Sequence, residues 1–78
     1  MKNIIHLAIG WYGAIIILLA YILISFDLMS PNSFLYQLMN VTGAIGLVYY
    51  STLKKDFPTS VLNVFWAFVA LVAMIKLF

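Results

Sequence analysis

The most informative segment of the chain reads Leu53-Lys54-Lys55-Asp56-Phe57-Pro58-Thr59-Ser60-Val61-Leu62-Asn63-Val64-Phe65-Trp66. It holds three of the chain's six charged residues, a proline, and an asparagine inside an apolar run. Proline disfavours helical backbone in the residue before it and suits the first turn of a helix. The segment therefore predicts a corner between two helices. In this prediction, Lys54 to Ser60 form the loop, and Asn63 lies inside the helix that follows it.

The composition of the whole chain is that of a membrane protein. The 78 residues are 67% hydrophobic and 8% charged, with a mean hydropathy of +1.16, whereas soluble domains carry about 25% charged residues. Because so small a soluble fold could not bury this much apolar surface, we expect the lipid bilayer to be its solvent and partner. One integral membrane domain, residues 1–78, is predicted. The net charge of +2 comes from scattered lysines, so no nucleic-acid partner is expected.

Apolar runs on either side of this corner predict an all-α protein with three transmembrane helices, at about 4–26, 34–53 and 59–78. The first run is too long for a signal peptide and lacks a cleavage pattern, so we expect it to be retained. Asp27 to Ser33 is predicted as the other loop, with Ser30 and Pro31 as the cap and first residue of the second helix. Short loops make neighbouring helices antiparallel. The predicted architecture is a triple-helix bundle that pairs with a second copy to give six spans.

Polar and small residues recur at helical spacing in the second and third spans. One shared face is Gln37, Asn40, Ala44 and Leu47, and the other is Asn63, Ala67, Ala70 and Met74. Such faces should contact other helices and not lipid. Gly10 with Gly13 and Gly43 with Gly46 are typical of closely packed membrane helices.

Lysines near the membrane predict the orientation. Lys2, Lys54 and Lys55 fall on one side, and the loop on the other side has no cation. The positive-inside rule then puts the N-terminus in the cytoplasm, with Lys76 as the dissenting charge. The expected location is a bacterial inner (plasma) membrane, as a multi-pass protein.

The sequence offers no catalytic constellation and no metal or cofactor site. It has one histidine and no cysteine, glutamate or arginine, and its two aspartates, Asp27 and Asp56, belong to loops predicted on opposite sides. An enzyme is therefore not expected, and neither is a metal ion. His6 is either a proton relay or an interfacial side chain. The interfacial interpretation is favoured, because no acidic residue lies in a span to pair with it.

Six side chains are candidate solute-binding residues, because amides and aromatic rings deep in a span need partners. They fall on two predicted levels: an inner level with Trp11, Asn63 and Trp66, and an outer level with Tyr21, Gln37 and Asn40. The alternative for the amides is hydrogen bonding between helices. For the tryptophans it is an aromatic belt at the membrane surface.

The corner segment resembles that of the SemiSWEET and PQ-loop (MtN3-like) half-transporters, which are triple-helix bundles. The resemblance lies in Tyr50, Leu53, Lys54, Asp56, Pro58 and Asn63, with Gly43 and the pair Ile9-Gly10 in addition. It implies a parallel homodimer that works by alternating access, with helices packed in the order first, third, second. It also implies that the asparagine at Asn63 contacts a sugar.

Other positions depart from that pattern. The family's Pro-Gln hinge falls on Leu23-Ile24, and its substrate-stacking tryptophan falls on Leu47. That family also begins outside the cell, opposite to the lysine pattern. The chain is more similar to a set of small bacterial three-span membrane proteins of unknown function. These share Tyr36-Gln37-x-x-Asn40 in the second helix and Asn63-x-x-Trp66 in the third.

The expected function is that of a homodimeric half-transporter for a small neutral or weakly polar solute. The alternative is a structural, assembly or regulatory membrane subunit without transport. A pore-former of the phage-holin type is disfavoured, because such proteins usually end in a highly charged tail and this chain ends in Ile75-Lys76-Leu77-Phe78.

Overall fold

The structure is a computed structural model that describes the backbone of residues 2–78 and the side chains from residue 4 onward. The described chain is all-helical: α1 is Lys2–Ser25, α2 is Phe34–Leu53 and α3 is Phe57–Lys76. The Lys2 side chain, which enters the predicted orientation, lies outside the described part. At 1.5 Å per residue, each helix is about 30 Å or more long, which matches the hydrocarbon thickness of a bilayer.

α1 and α2 end in the same local motif, in which a left-handed residue follows the helix. Asp27 and Lys55 both have φ near 60°. After α1, the Leu28 N–H donates to the Leu23 carbonyl over 2.8 Å. After α2, the Asp56 N–H donates to the Ser51 carbonyl, also over 2.8 Å. These are the bonds of a Schellman cap, which satisfies carbonyls that a helix end leaves free.

The corner between α2 and α3 is shorter than predicted, since Lys54, Lys55 and Asp56 alone connect the helices. Asp56 caps α3: one carboxylate oxygen accepts from the Thr59 N–H over 3.4 Å and the other from the Thr59 hydroxyl over 2.7 Å. Pro58 follows within the first turn, where a missing N–H is no loss. Thr59 and Ser60 are therefore helical, and the predicted loop Lys54 to Ser60 is wrong at its end.

The start of α2 also differs from the prediction. Ser33, not Ser30, is its N-cap, and its hydroxyl accepts from the Tyr36 N–H over 3.1 Å. Ser30 instead holds a turn, because its hydroxyl accepts from the Asn32 N–H and its carbonyl from the Ser33 N–H. The expectation that Pro31 is the first helical residue was wrong because the second serine, three residues later, is the better placed cap.

α2 is the middle helix of the three. Among the described residues it packs against both neighbours, and no Cα atom of α1 comes within 8 Å of one in α3. The order first, third, second, which the resemblance implies, is therefore wrong for this chain. With its flanks covered by α1 and α3, α2 can carry more polar residues than either neighbour.

Glycines bring α1 and α2 into backbone contact, as their spacing predicts. A Cβ added at Gly13 would lie 2.5 Å from the Gly43 carbonyl oxygen, and one added at Gly46 would lie 3.0 Å from the Ile9 carbonyl oxygen. Both neighbours are backbone atoms and cannot move aside. No larger residue fits at Gly13 unless the helices separate.

The interior of the molecule is small and polar, and its exterior is large and apolar. Among the described residues, the buried apolar side chains are Ala20, Ala44 and Ala70, and the buried polar ones are Asn40, Ser51, Ser60 and Asn63. The accessible surface is 5608 Å², whereas a folded soluble protein of this mass would expose about 4,800 Å². Two helices, Ile4–Ser25 and Phe57–Lys76, are long and apolar enough to cross a membrane.

Candidate functional site

A groove runs along α2 between α1 and α3, because the outer helices do not meet. We call it the α2 groove. Its floor is Tyr36, Asn40 and Leu47 of α2, and Trp66 of α3 forms one wall. The other wall belongs to α1: Ala14, Ile17, Leu18, Tyr21 and Ile24. Its volume of about 540 Å³ lies in the range of small-molecule sites.

The floor of the α2 groove carries a polar pair that joins two helices. The Trp66 indole N–H donates to the Asn40 side-chain oxygen over 3.4 Å. Asn40 is only 5% exposed, whereas Trp66 is 46% exposed and presents its ring to the groove. Within the described residues, the Asn40 side-chain NH₂ donates to no protein acceptor. It therefore remains available to donate to a bound molecule.

A second cleft lies on the other side of Trp66, between α2 and α3. It shares Tyr36, Asn40 and Trp66 with the α2 groove, and is otherwise lined by Gln37, Leu62, Phe65, Val69, Ala70 and Ala73. Gln37 donates to the Pro31 carbonyl over 3.1 Å, which ties the first loop to α2. Tyr36, Asn40 and Trp66 line both spaces, so the two recesses are neighbours that share these three side chains.

Asn63 was predicted to face a bound solute, but it lies outside both recesses around Asn40. It is 7% exposed, lines neither the α2 groove nor the second cleft, and donates to the Thr59 carbonyl of its own helix over 2.9 Å. Its assignment as a solute contact stays a prediction, and so does the alternative of a bond between helices, because the bond that Asn63 donates lies within α3.

The two predicted polar levels are not separate. Trp66, assigned to the inner level, bonds Asn40 of the outer level, and both share the groove with Tyr21. Trp11 stands apart in an apolar depression with Leu7, Gly10, Ala14, Leu47 and Tyr50. Five of the six predicted residues thus line a surface recess, and three of them meet in the α2 groove.

The sequence interpretation missed Tyr36, which lines both recesses that contain Asn40. It precedes Asn40 by four residues, and this helical spacing was a usable signal. A pair at the other end of the molecule was also missed. The Tyr49 hydroxyl lies 2.6 Å from Nδ1 of His6, with their ring centroids 5.4 Å apart. No sequence spacing relates these two residues, since they lie on different helices.

The recesses around Asn40 suit a neutral molecule. Among the described residues, no charged side chain lines the α2 groove or the second cleft, and no group of three potential metal ligands occurs. The available chemistry is two amides, one indole, two phenols and apolar walls. Such a site can accept and donate a few hydrogen bonds and stack against a flat or weakly polar solute.

Comparison with known proteins supports a family assignment. No curated protein and no solved structure matches the chain. A protein-family model does match residues 6–78, which is nearly the whole length and covers α2, α3 and α1 from residue 6 onward. The chain belongs to that family.

Proposed function

We propose that all three helices cross a membrane and that the α2 groove binds a small neutral or weakly polar solute. The distribution of side chains supports the membrane location. Large apolar residues cover the outside of α1 and α3, while the amides, serines and glycines of α2 and α3 are turned inward. This arrangement suits hydrocarbon, where polar groups must find partners inside the protein.

The observation that carries the binding proposal is the Asn40–Trp66 pair on the groove floor. It combines a buried amide that keeps a free donor with a half-exposed indole, in a space without charge. The apolar walls supply the burial, and the pair supplies the orientation of the bound molecule. This moves the centre of the predicted site from Asn63 to Asn40 and Trp66.

Transport follows if a second copy covers the open side of the groove. The groove faces outward from a single chain and would otherwise be filled by lipid. A homodimer with two grooves on its axis encloses a cavity at membrane depth, and rocking of the two copies exposes it to each side in turn. The resemblance of the corner segment to the half-transporters implies such a homodimer, whereas the helix order of this chain differs from theirs.

Uptake by reconstituted vesicles tests the proposal. The purified protein is placed in liposomes, and uptake of neutral sugars, amino acids and vitamins is measured. We expect Asn40→Ala to lower uptake of the transported solute about tenfold, since one lost hydrogen bond of about 1.4 kcal/mol weakens binding by that factor. The matched control is Asn63→Ala, which removes an amide outside the groove and should leave uptake of correctly folded protein unchanged. Equal uptake by wild type and Asn40→Ala would contradict the assignment.

A second candidate function is that of a non-transporting structural subunit. The specific observation in its favour is Asn63, which is buried and bonded within its own helix. On this proposal the amides serve packing alone. Asn40→Ala and Asn63→Ala would then lower stability by similar amounts, and no solute on the panel would bind.

A further inference from the structure

A second, chemically different recess lies at the opposite end of α2 from Asn40. We call it the α1–α2 pocket, and it is lined by His6, Leu7, Tyr50, Leu53 and Lys54. Its volume is about 340 Å³. Unlike the apolar recesses, it combines a cation and an imidazole with apolar side chains. The pocket lies at the end of the molecule that holds Lys54 and Lys55, in the corner between α2 and α3.

The polar groups of the α1–α2 pocket are held in place by aromatic neighbours. The Lys54 ammonium lies 5.7 Å from the centre of the Tyr50 ring, as in a cation–π contact. Tyr49 engages Nδ1 of His6. When the tyrosine donates this bond, the neutral imidazole carries its proton on Nε2 and keeps one N–H donor.

The carboxylate nearest to Lys54 in sequence is bonded to the start of α3 and does not line the pocket. Asp56, two residues along, has both carboxylate oxygens engaged by Thr59 at the start of α3. The other aspartate, Asp27, follows the far end of α1. Among the described residues no carboxylate lines the pocket beside Lys54, so its positive charge is available to an external anion.

The pocket also has an exposed apolar lining, which faces hydrocarbon when the helices cross a membrane as proposed. Leu7 and Leu53 are both exposed large hydrophobic residues. Each lies within about two helical turns of the helix end, where phospholipid headgroups meet the acyl region. A ligand that fits must carry an anion next to an aliphatic chain.

We propose that the α1–α2 pocket binds the phosphate of an anionic phospholipid. Lys54 supplies the charge and His6 an N–H donor, while Leu7 and Leu53 contact the first methylenes of the acyl chains. Basic pockets between helices at a membrane surface recognise anionic headgroups by this chemistry. The inference rests on the membrane location in the proposed function and is independent of solute binding in the α2 groove.

The test measures lipid binding by the purified protein in zwitterionic micelles. Phosphatidylglycerol is titrated in, and the bound lipid is counted by native mass spectrometry, with phosphatidylcholine of the same chains for comparison. We expect selective retention of phosphatidylglycerol, and about fivefold weaker binding by Lys54→Gln, the usual effect of one lysine at a membrane surface. Lys54→Arg should retain binding, and this variant separates loss of charge from misfolding.

The matched control is Lys55→Gln, because Lys55 is the adjacent cation and does not line the pocket. It should bind phosphatidylglycerol like wild type. Equal weakening by Lys55→Gln and Lys54→Gln would overturn the proposal in favour of general surface attraction. Competition by inorganic phosphate as strong as by the lipid would overturn the lipid assignment. The lipid-binding assay contains no solute. Its result is therefore separate from the uptake assay, which tests solute binding in the α2 groove.

Discussion

The bond between Trp66 and Asn40 is the single side-chain contact on which the proposed site depends. A long bond of 3.4 Å to a nearly buried amide is worth little by itself, but it fixes both the amide and the ring. In membrane proteins such interhelical bonds average about 0.6 kcal/mol and reach about 1.7 kcal/mol. The free energy of the Trp66–Asn40 bond determines how strongly α3 is held against α2 beside the α2 groove.

A double-mutant cycle measures that value. We expect Trp66→Phe and Asn40→Ala each to lower the free energy of unfolding, and the double variant to lose less than their sum, with a coupling of about 0.5–1.5 kcal/mol. The measurement is reversible unfolding in mixed micelles. Trp11→Phe is the control, because Trp11 is 62% exposed and donates no side-chain hydrogen bond within the described residues. Strictly additive losses would show that the pair is not coupled.

Lys55 and Asp27 have left-handed backbone conformations although neither is glycine. This conformation costs about 1 kcal/mol at each position. We therefore expect Lys55→Gly to raise the free energy of unfolding by up to about 1 kcal/mol, since glycine is the preferred residue at this place in the cap. Unfolding in zwitterionic micelles reports the change.

Lys54→Gly provides the comparison for that substitution. It removes the same charge one residue earlier, where φ is −87° and glycine gains nothing. It should therefore be neutral or destabilising. A gain at both lysines would mean that relief of charge repulsion, and not backbone geometry, stabilises the protein.

At the scale of helices, the corner segment could be predicted in kind and not in detail. Lysines followed by an aspartate and a proline predict a helix end and a helix start. They do not reveal that Asp56 completes the Schellman cap of α2 and is also the N-cap of α3. This double role shortens the corner to three residues. This shift brings Trp66 about 14 Å along α3 from the corner, while Asn40 is about 20 Å along α2. An indole ring can span the difference between these two heights, so Trp66 of the predicted inner level contacts Asn40 of the predicted outer level.

The contact of α1 with α2 depends on Gly13 more than on any other glycine, because a Cβ added there would come closest to a backbone atom of the facing helix, 2.5 Å from the Gly43 carbonyl oxygen. We expect Gly13→Ala to destabilise the protein by about 1–3 kcal/mol, the usual effect of overpacking. Intrinsic helix propensity would favour alanine by about 1 kcal/mol and so act in the opposite direction. Unfolding in micelles measures the sum.

Gly46→Ala is the graded comparison, since its added Cβ would meet the Ile9 carbonyl oxygen at 3.0 Å and not at 2.5 Å. It should cost less than Gly13→Ala. If both substitutions stabilise the protein, the close approach of α1 and α2 is absent from the folded protein in micelles.

At the scale of the whole molecule, the sequence predicts three helices and an inward face for each, but not their order. On the two predicted faces Asn40, Ala44, Asn63 and Ala70 are buried, and the other members are half-buried. A helical face, however, shows only that a neighbour is present, and not which one. Placing α2 in the middle depends on glycines in α1 and α2 that allow backbone contact, together with a short corner that holds α3 on the free side of α2. The resemblance to half-transporters implies another order, which these contacts contradict.

The open α2 groove makes a directional prediction about assembly. If a second copy covers it, residues on the groove wall lie near their counterparts and residues on the back of α2 do not. The chain has no cysteine, so single cysteines report on this without background. We expect Leu18→Cys to form a disulfide-linked dimer in vesicles on mild oxidation. Leu18 is 58% exposed and lines the groove.

Ile45→Cys is the matched control, because Ile45 is equally exposed, at 57%, but lies on α2 outside every described recess. It should form no disulfide-linked dimer under the same oxidation. Random collision in the bilayer would cross-link both variants to the same extent, and dimerisation through the other face would reverse their order. Efficient cross-linking at Leu18 alone places the groove on the axis between copies, where the Asn40–Trp66 pairs of two chains enclose one cavity.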